Sequence, residues 1–338
     1  MHTREVDAPA VQALLAAAVA APSIHNTQPW RFGLDPDTRS VLVRLDRERQ
    51  LPEADPRRRA QYLSVGAAVL NLRVAAEHLG WDPAVRLCSA ADDPDLLASV
   101  QLTGTTAGGQ ASLRDLYRQI ERRHTSRLPF TGRTVPDTVV HEMTVAARAE
   151  GAHLDVPDIV ATRRLLRLTA AAESRNAVHP ARASEARTWL TVPGAPAAYG
   201  IPVTALGPRD ASGRVPVRDF VGALPAPRLP TLPFERHVQV ALLWTSHDRP
   251  EDWLRAGQAL QRVLLTATAH GVRTSMLHQA MEWPDLRAAT AGPRPRCCPQ
   301  VVIRFGYGPD GAPTPRAPAD CVRPPVDRGP GSGHGGRG

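Results

Sequence analysis

Two segments of this chain run between glycines at the same separation, Gly66 to Gly80 and Gly257 to Gly271, and they carry small or apolar residues at matching places. Ala68 matches Ala259, Val69 matches Leu260, Leu72 matches Val263, Val74 matches Leu265 and Ala76 matches Ala267. The spacing predicts two equivalent core helices closed by C-terminal glycines. A strand-like run that ends in glycine follows each one, Leu96 to Gly104 and Val301 to Gly306. The simplest account is a duplicated design of two similar halves; the alternative is two unrelated amphipathic helices. At 338 residues and 42% hydrophobic content the chain can bury a core large enough for either.

The formal net charge is +8, and arginine supplies every one of the 41 basic residues, since the chain has no lysine. Arginine-only usage with abundant Ala, Pro and Gly points to coding bias, which weakens basicity as a sign of a nucleic-acid partner. Acids interleaved with the arginines (Asp46, Glu48, Glu53, Asp55) also break up any continuous basic face, so a nucleic-acid-binding role ranks last. Cys88, Cys297, Cys298 and Cys321 form no C-x-x-C pair and no disulfide framework, which fits a reducing cytoplasm. The apolar stretch Leu14 to Ala21 lacks the positive leader of a signal peptide, and no apolar run is long enough to span a bilayer. A cytoplasmic protein without a membrane partner is expected. His141-Glu142 lacks the second histidine of a zinc-hydrolase motif, and adjacent Cys297-Cys298 is poor geometry for joint chelation. No metal site is expected.

Two motifs carry chemistry. An Ala-rich run ends at Pro22, and Ser23, Asn26 and Gln28 then offer groups that both donate and accept, ahead of Trp30 and Phe32. Such a loop suits a ligand with mixed carbonyl and N–H edges, or it merely satisfies a turn. Mid-chain, Arg122-Arg123-His124-Thr125-Ser126-Arg127-Leu128-Pro129-Phe130 interleaves three guanidiniums with hydroxyls. That pattern makes a phosphate site, or a solvated basic helix end favoured by the helix dipole.

The first motif, Ala21-Pro22-Ser23 through Asn26, Gln28-Pro29-Trp30 and Phe32, resembles the flavin-lining loop of the FMN-dependent nitroreductases. The second resembles the phosphate-binding signature with which typical chains of that family open, here displaced to mid-chain. Each half therefore keeps one of two parts that ordinary homodimers supply from different subunits. The layout is similar to the Acg-type branch and extends from about Ala10 to Pro318. The resemblance implies an α+β nitroreductase-like fold of two tandem halves, 1–110 and 111–320, forming an internal pseudo-dimer with helices around antiparallel sheets. It implies one FMN per chain, a monomer, and a disordered tail over 321–338.

By motif position, Pro22, Ser23, Asn26 and Gln28 are expected to line the flavin, Arg123 and Thr125 to hold its phosphate, and Arg127 to approach its N1/O2 edge. The main chain of His278 and Gln279, where the family often has Glu-Gly, is expected to face N5 while their side chains need not matter. Arg316 is either a second phosphate cation, with Thr314 replacing the family's other cation, or one more arginine in a Pro-rich tail. No side chain is obliged to act as acid or base, because the cofactor carries the redox chemistry. The implied function is NAD(P)H-dependent reduction of nitro compounds or quinones, small-molecule electron acceptors, through FMN. Residues 179–233, with a short helix over Ala183 to Leu190 and a Pro/Gly-rich passage around Val217 to Phe220, read as a lid or as a surface excursion. A lid that excludes substrate would make the protein a flavin store with little turnover.

Overall fold

The computed structural model describes residues 6–87, 93–105, 113–191, 198–220, 229–294 and 296–319. Cys88, Cys321, the tail 321–338 and parts of the expected lid lie outside the described residues.

The first half runs α1 (Ala8–Val19), β1 (Trp30–Asp35), β2 (Ser40–Leu45), α2 (Arg59–His78), β3 (Trp81–Leu87) and β4 (Leu96–Thr105). Its antiparallel sheet has the order β1-β2-β4-β3. A short connecting helix α3 (Tyr117–Arg122) leads to the second half. That half contains α4 (Asp137–Ala149), β5 (His153–Asp155), α5 (Ile159–Val178), α6 (Pro180–Thr188) and four two-residue strands, β6 (Leu190–Thr191), β7 (Ile201–Pro202), β8 (Arg209–Asp210) and β9 (Thr231–Leu232). It continues with β10 (Gln239–Thr245), α7 (Pro250–Ala269), β11 (Arg273–Leu277), α8 (Pro284–Ala291) and β12 (Cys298–Gly306). The second antiparallel sheet reads β5-β10-β12-β11. With α5, α6, β6 to β9 and α8 set aside as insertions, both halves have the same order of helices and strands, and their sheets the same strand order.

The two long helices pack on each other through the repeat's glycines. A Cβ on Gly66 would lie 2.2 Å from the Leu254 carbonyl oxygen, and one on Gly257 would lie 2.1 Å from that of Leu63. The helices extend beyond the glycine-bounded segments of the repeat. Both helices begin well upstream, at Arg59 and Pro250, and the glycines sit inside them where two backbones touch. Gly80 and Gly271 do end the helices, at φ 92° and 70°, in the left-handed region that glycine enters without a Cβ penalty.

The apolar core is likewise built in parts. One cluster joins α1, α2 and the first sheet, through residues such as Leu14, Phe32, Leu70 and Val100. A second joins α4, α7 and one face of the second sheet, and a third joins α5 and α8 to its other face. Leu113, Ile120, Ala317 and Ala319, all beyond position 110, pack into the first cluster, so chain from outside the first half completes that half's core. The helix expected over Ala183 to Leu190 is α6, starting earlier at Pro180 because His179 caps it and proline suits its first turn. Among the described residues no helix is long and apolar enough to cross a membrane.

Candidate functional site

Asp7 caps α1 by accepting from the Ala10 amide at 2.9 Å, and the helix stops ahead of Pro22 as its ring demands. The chain then bends sharply, with His25, Asn26 and Gln28 at φ 48°, 54° and 51°. Three L-residues in the left-handed region within four positions store strain of about 1–2 kcal/mol each. Tertiary bonds hold the bend: Ile24 N donates to Ser64 Oγ at 3.1 Å on α2, and Gln28 N donates to Ser23 Oγ at 3.0 Å.

The mid-chain arginine segment is pinned to the second half. Thr125 bridges Thr274, Ser126 N donates to the Thr274 carbonyl at 2.9 Å, and Ser126 Oγ donates to the Pro309 carbonyl at 3.1 Å. Phe130, the motif's aromatic, lies over the Arg304 guanidinium at 3.8 Å, and its amide donates to Glu235 at 2.9 Å. Arg304 and Glu235 form a buried ion pair at 2.7 Å.

These elements enclose a cavity of ≈ 140 Å³, far above the ~10–15 Å³ that admits one water. Pro22, Ser23 and Asn26 line it from the first half, and Arg123, Thr125 and Arg127 from the connection. His278 and Gln279 line it just beyond β11, and Arg316 closes it from the C-terminal segment. Gln28 is the expected site residue that the structure does not bring there. Its Nε2 donates to the Ala198 carbonyl at 2.7 Å and its Oε1 accepts from Ala317 N at 2.9 Å. An amide complementary to a flavin edge is equally complementary to backbone, and here backbone takes it. Asn26 reaches the cavity wall, but it too is committed: Nδ2 donates to the carbonyls of Gly200 and Pro315 at 2.8 and 2.9 Å, and Oδ1 accepts from Arg316 at 2.8 Å.

The charges are lopsided. Arg123 is 4% exposed, and among the described residues its Nε and Nη1 have no hydrogen-bond partner, nor does the buried Nε of Arg316. Burial pulls Arg123 down to about 9, with the neighbouring Arg316 charge adding to the effect, and burial pulls Arg127 and Arg316 to about 10. Among the described residues none of the three has a carboxylate partner, whereas the one acid in the wall, Glu282, is already bound by Arg218 and Arg182. Buried cations without counter-ions are costly unless a ligand neutralises them. The cavity end made by Arg123, Thr125, Thr314 and Arg316 therefore suits a multivalent oxyanion. Of the two readings of the motif, the solvated helix end describes only Arg122, which is exposed and bonds Gln119.

The cavity wall also includes His25, Arg218 and Phe220, which the motifs do not single out. His25 packs edge-on against Phe220 with ring centroids 5.0 Å apart, and its buried Nδ1 has no partner among the described residues. Burial, with Arg218 and Arg127 nearby, holds His25 well below the usual histidine range. His278 Nε2 lies 3.1 Å from Arg59 Nη2, so its side chain takes part in the site along with its main chain. Gln279 Nε2 donates to the Pro216 carbonyl at 2.9 Å, and Arg127 Nη1 to that of Ala205 at 3.1 Å. Segment 198–220 thus lies across the cavity, bringing Arg218 and Phe220 into its wall. The sequence marked Val217 to Phe220 only as part of a Pro/Gly-rich passage. Nothing local to Arg59 or His25 signals a site. Cys297 lies outside the cavity wall, and burial pushes its thiol up to about 11.

No family model matches the chain. A protein of Mycobacterium tuberculosis named "Putative NAD(P)H nitroreductase Rv3131" is 32% identical over 326 residues, covering 94% of this chain and 91% of its own. One from the same organism named "Putative NAD(P)H nitroreductase acg" is 31% identical over 339 residues, covering 95% and 96%. Among solved structures, a nitroreductase with bound FMN from Bacteroides fragilis aligns with 60% of this chain and 94% of its own, at 13% identity and a TM-score of 0.36.

Proposed function

This chain belongs to the nitroreductase family, in its Acg-type branch, and from that premise we propose that it binds one FMN and passes electrons from NAD(P)H to a small nitro compound or quinone. The observation that carries the reading is buried Arg123 and half-buried Arg316, without a carboxylate partner among the described residues, in a cavity that both halves line. In this reading Arg123 and Arg316 take the phosphate by charge-assisted bonds, with the Thr125 and Thr314 hydroxyls as neutral donors. Arg127 supplies a fixed cation to the ring that gathers negative charge on reduction. Pro22, Ser23, His25, Phe220, His278 and Gln279 bound the ring, while Asn26 and Gln28 act at one remove by binding the segments that close over it. FMN, when bound, supplies the two-electron relay between a nicotinamide donor and the acceptor. The chain binds, orients and excludes water.

Because both faces of the site come from one polypeptide, a monomer suffices, with halves divided near position 110 and segment 179–233 acting as a lid. The ties Asn26–Gly200, Gln28–Ala198 and Gln279–Pro216 favour a second reading, in which the lid stays shut and the protein stores flavin. Anaerobic addition of NADH or NADPH to the yellow protein separates the two. Bleaching of the bound flavin supports the oxidoreductase, and an unchanged spectrum supports storage. Protein that stays colourless after reconstitution with FMN would overturn both.

A further inference from the structure

We propose that His278 presents an Nδ1–H donor to the ring of the bound flavin, and that Arg59 is the positioning residue that imposes this tautomer. The proposal rests on the reading that the cavity takes FMN. A guanidinium has only donors. Arg59 spends Nη1 on the Gln300 carbonyl at 2.8 Å and on Gln300 Oε1 at 3.1 Å, and spends Nη2 on the Met281 carbonyl at 3.3 Å and on His278 Nε2 at 3.1 Å. The nitrogen that faces it must therefore offer a lone pair. Burial disfavours a charged imidazole here, as do Arg59, Arg218, His25 and Arg287 around it, so the ring is neutral and its one proton sits on Nδ1.

Among the described residues Nδ1 has no hydrogen-bond partner, it is not one of the side-chain atoms sealed in the interior without a bond, and the ring forms part of the cavity wall. His25 cannot take the same role through its own Nδ1, which is sealed in the interior. A neutral donor held in place strengthens its bond as the ring gains electrons, so His278 favours the reduced over the oxidised cofactor without adding a further positive charge.

The test uses the FMN-loaded protein. Nitrogen-15 NMR of labelled histidine at neutral pH is expected to show His278 protonated at Nδ1 and bare at Nε2. Equilibrium dye titration then compares His278→Leu, which has no donor, with His278→Asn, whose amide nitrogen falls near the Nδ1 position. The Leu variant is expected to lose about tenfold in the preference for reduced over oxidised FMN, about 30 mV for a two-electron couple, and the Asn variant to recover most of it. A bare Nδ1, or an imidazolium, would overturn the inference on wild-type protein even if the Leu variant does not fold. So would a folded Leu variant at the wild-type potential. Wild-type protein that takes up no FMN would instead refute the proposed function, before this question arises.

Discussion

α1 and α4 hold equivalent places in the two halves, yet their ends do opposite things. The end of α1 opens into a strained loop beside a cavity lined by Arg123, Arg127 and Arg316, which among the described residues have no carboxylate partner. The end of α4 is closed: Glu150 is bonded by Arg73 of α2 and, at 2.7 Å, by Arg262 of α7. Asn71 and Arg262 stand at matching positions of the glycine repeat. Asn71 donates to the Ala17 carbonyl of α1 at 2.8 Å, while Arg262 neutralises the acid at the end of α4. One frame thus carries a pole whose charges await a ligand and a pole whose charges are satisfied within the protein. The two frames share helix and sheet order, and each packs a core of its own. The loops and cations around the two frames are what differ.

The largest expected effect falls on the open pole alone. Replacing Arg123 and Arg127 together by alanine removes two charge-assisted anchors of about 1.5–3 kcal/mol each, so FMN affinity should fall about 10²–10⁴-fold, as read by equilibrium titration of flavin fluorescence. Stoichiometric FMN retained by that double variant would remove the contrast between the poles.

The shared frame should respond next. Gly66→Ala pushes a methyl into the Leu254 carbonyl, and Gly257→Ala does the same at Leu63, with backbone on both sides and no flexible side chain to give way. Each should cost about 3 kcal/mol or more in thermal or denaturant unfolding. Unequal costs would show that the helix pair is less symmetric than its topology.

Glu150→Ala should strike only the closed pole. It strands two cations whose side chains are 20% and 17% exposed, and water softens the loss to about 2–3 kcal/mol, with FMN affinity unchanged. A change in flavin binding would mean that the poles communicate.

The smallest effect concerns the segment inserted over the open pole. Burial lifts Glu173 to about 6 against the Arg218 charge beside it, and its carboxylate accepts from Asp219 N at 2.8 Å. A carboxyl raised on folding favours the native state most at low pH. That contribution, up to about 2 kcal/mol, is present below the ordinary glutamate value and is lost as pH rises through about 6. Glu173→Gln should flatten stability between roughly pH 4.5 and 6.5, and a profile that keeps its slope would assign the titration elsewhere, with Asp55, also lifted to about 6 by burial, the first alternative.

Much of the site was legible where a motif concentrates unusual residues in one stretch. Pro22, Ser23, Arg123 and Thr125 are local enough to read, and the structure brings them to one cavity. Gln28 stands outside the cavity wall; an amide does not announce which carbonyl it will meet, and Ala198 and Ala317 are distant in the chain. No local pattern marks the roles of Arg59 and His25, whose surroundings come from Gln300, Met281 and Phe220.

By itself the sequence determined the repeated helix–sheet frame, the glycines that let its two long helices touch, and the loop and arginine motifs. These follow from periodicity, from the space a missing Cβ leaves, and from charge carried over a few neighbouring residues. Only the tertiary structure decided which guanidiniums were left without a counter-ion, which amides were taken up by backbone, and which nitrogen of His278 faces Arg59. Those outcomes depend on burial and on partners a hundred or more positions away, and no local pattern encodes what a side chain will be packed against.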